Sequence, residues 1–264
     1  MAESTCRIDL ISSEGFWFCD PGEVKEQLQG VNDVRIVAYL RRQDQYLQSL
    51  YKQAVAGGRN IDFTTWLGKM RHRGNYLAVV ERWVAQFGKD AITIRPYERG
   101  GTRIDSVEDF GSFLGCDLVE QRKKGKVRGN ASPRRELLHF IRAFNKLRLE
   151  VDREEFFYSL IRKNSEYIRS ADLLTGPASI ALMQEYQEDN ALLAERYYGT
   201  TKGPLFPEME ENVTPPSVWG LDDPAFFELT ADVIDVIITL AAEGKIRSKR
   251  ASANRRPEAV DPEA

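Results

Sequence analysis

Residues 34–40, VRIVAYL, are a nearly unbroken apolar run in which Val34, Ile36, Val37, Ala38 and Leu40 alternate only with Arg35 and Tyr39. Such a run is the pattern of a strand covered on both faces, as in a parallel sheet. Arg41 and Arg42 end it abruptly. From Asp44 onward the apolar period changes to that of a helix, with Tyr46, Leu47, Leu50 and Tyr51 on one side and Ser49 beside them. Asp44 has the side chain of a helix cap.

The same reading extends outward from this strand and helix. Residues 7–11, RIDLI, are a second candidate strand, and they lead into Ser12, Ser13, Glu14 and Gly15. Asp20, Pro21 and Gly22 start a helix through Leu28 that serves as a crossover to the main strand. Gly57 and Gly58 interrupt the chain. Residues 61–71 and 75–87 repeat apolar side chains at helical spacing, with Trp66, Trp83 and Phe87 as expected core anchors. Residues 91–97, AITIRPY, alternate as a third strand that a proline terminates. Residues 107–114 are a short helix closed by Gly115. Beyond Ser132 the pattern is almost wholly helical, over 137–149, 156–168 and 180–198, then over 226–240 after a proline- and glycine-rich stretch, 203–223. Residues 244–264 are polar and charged, and are expected to be disordered. No internal repeat is present.

Composition narrows the class. The chain has 264 residues, 42% hydrophobic and 29% charged, ample for a globular core. A net charge of −3 and a pI near 5.7 exclude a generic nucleic-acid binder, whose basic footprint marks the whole domain. Cys6, Cys19 and Cys116 are scattered, without the spacing of a disulfide framework or a zinc site, and no metal is expected. His72 and His139, the only histidines, lie in helical segments and read as structural or surface side chains. No run has the length of a membrane span and the first residues lack the regions of a signal peptide, so the expected location is the cytoplasm.

The chemistry concentrates where strand gives way to helix. Ligands bind at the carboxyl edge of open α/β sheets, and an arginine there offers a planar fork of donors to a phosphate. The segment YLRRQDQYLQSLYKQ resembles the 3′-phosphate-binding segment of sulfotransferases that use 3′-phosphoadenosine 5′-phosphosulfate (PAPS), most closely the bacterial carbohydrate-type members. That resemblance implies that Arg41, at the strand end, and Ser49, eight residues later, hold the cofactor's 3′-phosphate. It extends to ISSEG, where it gives Glu14 the role of the base that deprotonates an acceptor hydroxyl. Read from the residues alone, Glu14 is a carboxylate beside a flexible glycine, equally suited to capping a turn. The densest basic stretch, 121–130 (QRKKGKVRGN), suits a lid over a phosphate as well as a solvated loop. By resemblance it lies near the 3′-phosphate, with Lys124, Gly125 and Arg128 as the candidate contacts.

The resemblance covers roughly 7–206 and implies an α/β fold, a partial P-loop-like parallel sheet flanked by helices with a largely helical C-terminal half. The expected organisation is a sulfotransferase-like core over 1–130, a helical part over 131–243 and a disordered tail over 244–264. One expected feature is missing: no strand leads into a glycine-rich loop with a lysine and a hydroxyl residue, since neither Gly57-Gly58 nor Gly100-Gly101 is followed by that pair. The expectation is therefore a chain shortened relative to its family, with transfer of a sulfuryl group from PAPS to a carbohydrate hydroxyl impaired or absent. A non-catalytic nucleotide- or glycan-binding relative, and a helical interaction protein using the basic loop, are the rivals.

Overall fold

The computed structural model describes residues 8–99, 102–118, 135–147, 149–163, 173–198, 203–206 and 224–248. Helices run over Pro21–Gln27 (α1), Gln43–Ala56 (α2), Phe63–Met70 (α3), Tyr76–Phe87 (α4), Ser106–Leu114 (α5), Arg135–Lys146 (α6), Arg153–Lys163 (α7), Gly176–Gln184 (α8), Gln187–Leu193 (α9) and Pro224–Ala242 (α10). Strands run over Ile36–Leu40 (β1), Ile92–Pro96 (β2), Glu98–Arg99 (β3), Thr102–Arg103 (β4), Leu149–Val151 (β5) and Ile246–Ser248 (β6). The protein is thus a mixed α/β chain, mostly helical, with a small parallel sheet. Its compact units interleave: one takes 1–40, 75–102 and 187–207, the other 41–74, 103–186 and 208–264. The boundary expected near residue 130 falls in 119–134, outside the described residues.

In the first unit β1 and β2 pair directly and in parallel, from Ile36 opposite Ile92 to Leu40 opposite Pro96. Pro96 cannot donate, and the ladder ends one residue on, where Tyr97 N–H donates to the Leu40 carbonyl at 2.7 Å. α1 and α9 pack on α4. The expected strand over 7–11 does not form in its described part: residues 8–11 are in no strand, and Ile8, Leu10 and Ile11 are 56%, 61% and 66% exposed. An alternating segment becomes a strand only against an edge and a face that bury its apolar side, and these residues have neither. Trp83 and Phe87 are likewise not core anchors. Both are half-exposed, stacked on each other at 5.7 Å, while Tyr76 and Val80 are the buried residues of α4.

The second unit is built around α2. Leu47, Tyr51 and Val55 share one face of it and pack with Trp66 and Leu67 of α3, Leu137, Ile141 and Phe144 of α6, Phe156 and Leu160 of α7, and Leu229 and Val233 of α10. Trp66 is the anchor its sequence position suggested. Phe144 and Phe156 stack at 4.2 Å. The ends of the elements follow local chemistry: Asp62 and Asp105 accept backbone N–H groups as N-caps of α3 and α5, and Gly115 closes α5 with φ near +70°. At the C-terminus of α2, buried Asn145 donates to the carbonyls of Val55 and Arg59 at 2.8 and 3.0 Å and accepts from Arg153.

Two expected helices are interrupted. The segment 137–149 stops being helical at Lys146, and Leu149 begins β5, which pairs antiparallel with β6. β6 also corrects the expected disordered tail, since 246–248 are ordered by this pairing and by the packing of Ile246 on the core. The segment 180–198 divides into α8, α9 and a wide π turn, Ala194–Tyr198. Leu182 and Tyr186 belong to the core of the second unit, whereas Leu193 falls in the first.

Candidate functional site

Arg41 is the first residue after β1. It is exposed, and its Nε donates to Oε1 of Gln45 at 2.8 Å. Arg41, Gln45 and Ser49 follow one another at intervals of four, so they share one edge of α2 and its approach, with Ser49 half-exposed. Arg42 is used differently. Its Nε and Nη2 grip both oxygens of Asp44 at 3.1 and 2.7 Å, and the two side chains are 12% and 4% exposed. Asp44 therefore does not cap α2, as its sequence position suggested; the capping position is Arg42, which makes no side-chain cap. A carboxylate in the first turn still complements the positive end of the helix, and the fork that holds it leaves Arg41 as the outward member of the arginine pair.

The apolar side of α2 also carries polar side chains that sequence reasoning missed. Gln43 is fully buried and donates to the Gly74 carbonyl at 3.4 Å. Gln48 Oε1 accepts the backbone N–H groups of Leu173 and of Leu174, the latter at 3.3 Å. Lys52 is buried too. Gln48 and Lys52 flank the edge defined by Arg41 and Ser49. Their spacing from Asp44, four and eight residues, was the signal: a polar row that borders the angular range of Leu47, Tyr51 and Val55 on the side of Arg41 and Ser49.

Glu14 lies in the first unit, in an exposed 3₁₀ turn over Glu14–Trp17. Ser13 Oγ accepts from Gly15 N–H at 3.0 Å, and the turn is pinned by edge-to-face contacts of Trp17 with Tyr76 at 5.4 Å and of Phe16 with Trp83 at 6.4 Å. Arg41 and Ser49 belong to the second unit. Lys124, Gly125 and Arg128, with the whole basic stretch 121–130, lie outside the described residues.

Other clusters are accounted for by structure. A groove of about 290 Å³ between α7 and α10 is lined by Glu155, Ser159, Lys163, Asp235, Glu243 and Lys245. Its charges satisfy one another: Lys163 pairs with Asp235 and, at 3.8 Å, with Asp232, while Lys245 pairs with Glu243 at 3.0 Å and Glu155 at 3.5 Å. At Tyr186 the hydroxyl donates to the Arg71 carbonyl at 2.7 Å. Burial, and then the negative charge of Glu185, push that phenol up to about 12, so it stays a donor. Among the described residues no helix is long and apolar enough to cross a membrane.

Fold and site together define a mixed α/β protein with an arginine at the carboxyl end of a parallel strand. No family model matches the chain, and no solved structure matches it. It is similar, at 26% identity over 200 residues, to an uncharacterized protein of Archaeoglobus fulgidus, a match that takes in 72% of this chain and 54% of the archaeal protein. The chain thus spans about half the length of that curated relative.

Proposed function

We propose that this chain carries the 3′-phosphate-binding part of a PAPS-dependent sulfotransferase site on a partial P-loop-like fold. The observation that supports the reading is the division of labour between the two arginines after β1. Arg42 is locked to Asp44, while Arg41 is exposed and lies along α2 in line with Gln45 and Ser49. A guanidinium and a hydroxyl on one edge suit a terminal phosphate, which takes a bidentate fork and a further donor. In the complete reaction the sulfuryl group of PAPS passes in line to a carbohydrate hydroxyl, whose proton Glu14 accepts. Positioning and preorganised donors supply the rate. No predicted strand in this sequence leads into a glycine-rich loop with a lysine and a hydroxyl residue for the 5′-phosphosulfate, so the chain on its own binds nucleotide better than it turns over.

Calorimetry with adenosine 3′,5′-bisphosphate tests this. Arg41→Ala is expected to lose at least about tenfold in affinity, the scale of one charge-assisted hydrogen bond. Ser49→Ala should lose less, and Arg41→Lys should recover only part, because an ammonium lacks the fork. Equal affinity in wild type and Arg41→Ala removes the reading. With labelled PAPS, the unmodified chain is expected to give no measurable transfer, since losing even one preorganised donor at such a centre costs on the order of a hundredfold. Robust transfer would mean that another segment of this chain serves the 5′ end.

A further inference from the structure

On α6, Arg135, His139, Arg142 and Lys146 recur at i, i+4, i+7 and i+11, so all four lie on one side of the helix. The stripe is on the order of 16 Å long, in steps of about 4.5 to 6 Å. His139 and Lys146 are exposed, and Arg135 and Arg142 half-exposed. The opposite side, Leu137, Leu138, Ile141 and Phe144, is buried in the core, so the stripe cannot rotate away from solvent.

In a chain of net charge −3 this concentration of positive charge is local. Several other lysines and arginines are drawn into ion pairs, as at Lys163, Lys245, Arg71 and Arg196. None of the four stripe residues has a carboxylate within 4 Å among the described residues, and Arg142 Nε is buried without a hydrogen-bond partner there. The acidic groups that reach them do so at longer range: Glu136, itself buried, beside His139, and Asp62, occupied as the cap of α3, near Arg142. The electrostatics agree, since partial desolvation and then the charges of Arg142 and Arg135 hold the His139 imidazole below its ordinary value. A row of like charges that no carboxylate of the described residues pairs at close range is suited to binding an anion.

We propose that this face of α6 docks a linear acidic polysaccharide, with successive anionic groups of one chain meeting Arg135, Arg142 and Lys146 and His139 donating between them. The steps along the stripe are on the scale of a charge repeated on each sugar ring. The stripe carries no phenylalanine, tyrosine or tryptophan as a platform for successive bases, and the chain as a whole lacks the basic footprint of a nucleic-acid-binding domain. The surface involves neither Arg41 nor Ser49, so it stands whether or not the nucleotide reading does.

Binding of chondroitin sulfate and of polygalacturonate to the full chain tests the proposal, with duplex DNA and anionic vesicles as comparators. Arg135→Gln, Arg142→Gln and Lys146→Gln combined are expected to weaken polysaccharide binding about tenfold, three partly exposed pairs contributing together. The equal-charge control of Arg35→Gln, Lys69→Gln and Lys89→Gln should change it little. Affinity should fall as salt rises. Should the combined variant fail to fold, acetylation footprinting of the wild type replaces it, with Lys146 protected by polysaccharide and Lys69 not. No polysaccharide binding, equal loss in variant and control, unprotected Lys146, or tighter binding to DNA or vesicles would each overturn the proposal.

Discussion

Gly74 shows how much one hydrogen atom in place of a methyl group can matter. A Cβ there would stand 2.7 Å from Cζ of Tyr186 and 2.9 Å from its hydroxyl oxygen. The ring cannot simply withdraw, because its hydroxyl is tied to the Arg71 carbonyl and its body is buried. Gly74→Ala is expected to destabilise the fold by about 1–3 kcal/mol, the scale of overpacking, measured by urea unfolding. In Tyr186→Leu the same alanine should cost much less, and equal costs in both backgrounds would remove the steric explanation. Asn145 is a second such residue. Replacing it with leucine leaves the carbonyls of Val55 and Arg59 without their donor, at a cost of about 2–3 kcal/mol.

At the scale of the element, α2 combines a core face, a polar row along the border of that face and an outward edge. The buried pair of Arg42 and Asp44 is what allows two adjacent arginines to follow a strand, since it removes one of them from solvent. Arg42→Met is expected to destabilise by about 3 kcal/mol, because Asp44 is left charged and buried. Arg42→Met with Asp44→Leu should restore most of the loss, and denaturant midpoints of the three variants decide it. Both glycines after α2 were visible in the sequence as a break. Their geometry was not: Gly58 takes φ near +101°, with the Arg153 guanidinium 3.1 Å from where its Cβ would be. A side chain there is strained in both respects.

Among the described residues, the histidine whose titration shifts on folding is His139. The folded protein holds its imidazole below the ordinary 6.5, by desolvation first and then by Arg142 and Arg135, with Glu136 opposing. The unfolded chain therefore takes up the proton more readily. The stability this group contributes is complete above pH 6.5 and is lost as pH falls below it toward the folded-state value. His139→Gln should flatten that part of the stability curve, and an unchanged slope in thermal unfolding between wild type and variant would assign the response elsewhere.

Period and punctuation in the sequence were enough to locate β1, β2 and most helices, because a buried β-branched run, a 3.6-residue repeat and end signals such as Asp20 and Gly115 act over a few residues. The arginine after β1 and the serine on α2 were legible for the same reason. What depended on distant residues was not. Residues 8–11 have strand composition but no edge to join, and 246–248 have tail composition but pair with β5. The run 180–198 keeps a helical period yet breaks, because its buried side chains serve two cores. The roles of Arg42, Gln43 and Gln48 depend on partners up to 126 residues away, so only the tertiary structure could decide which polar side chains of α2 hold the fold and which face outward.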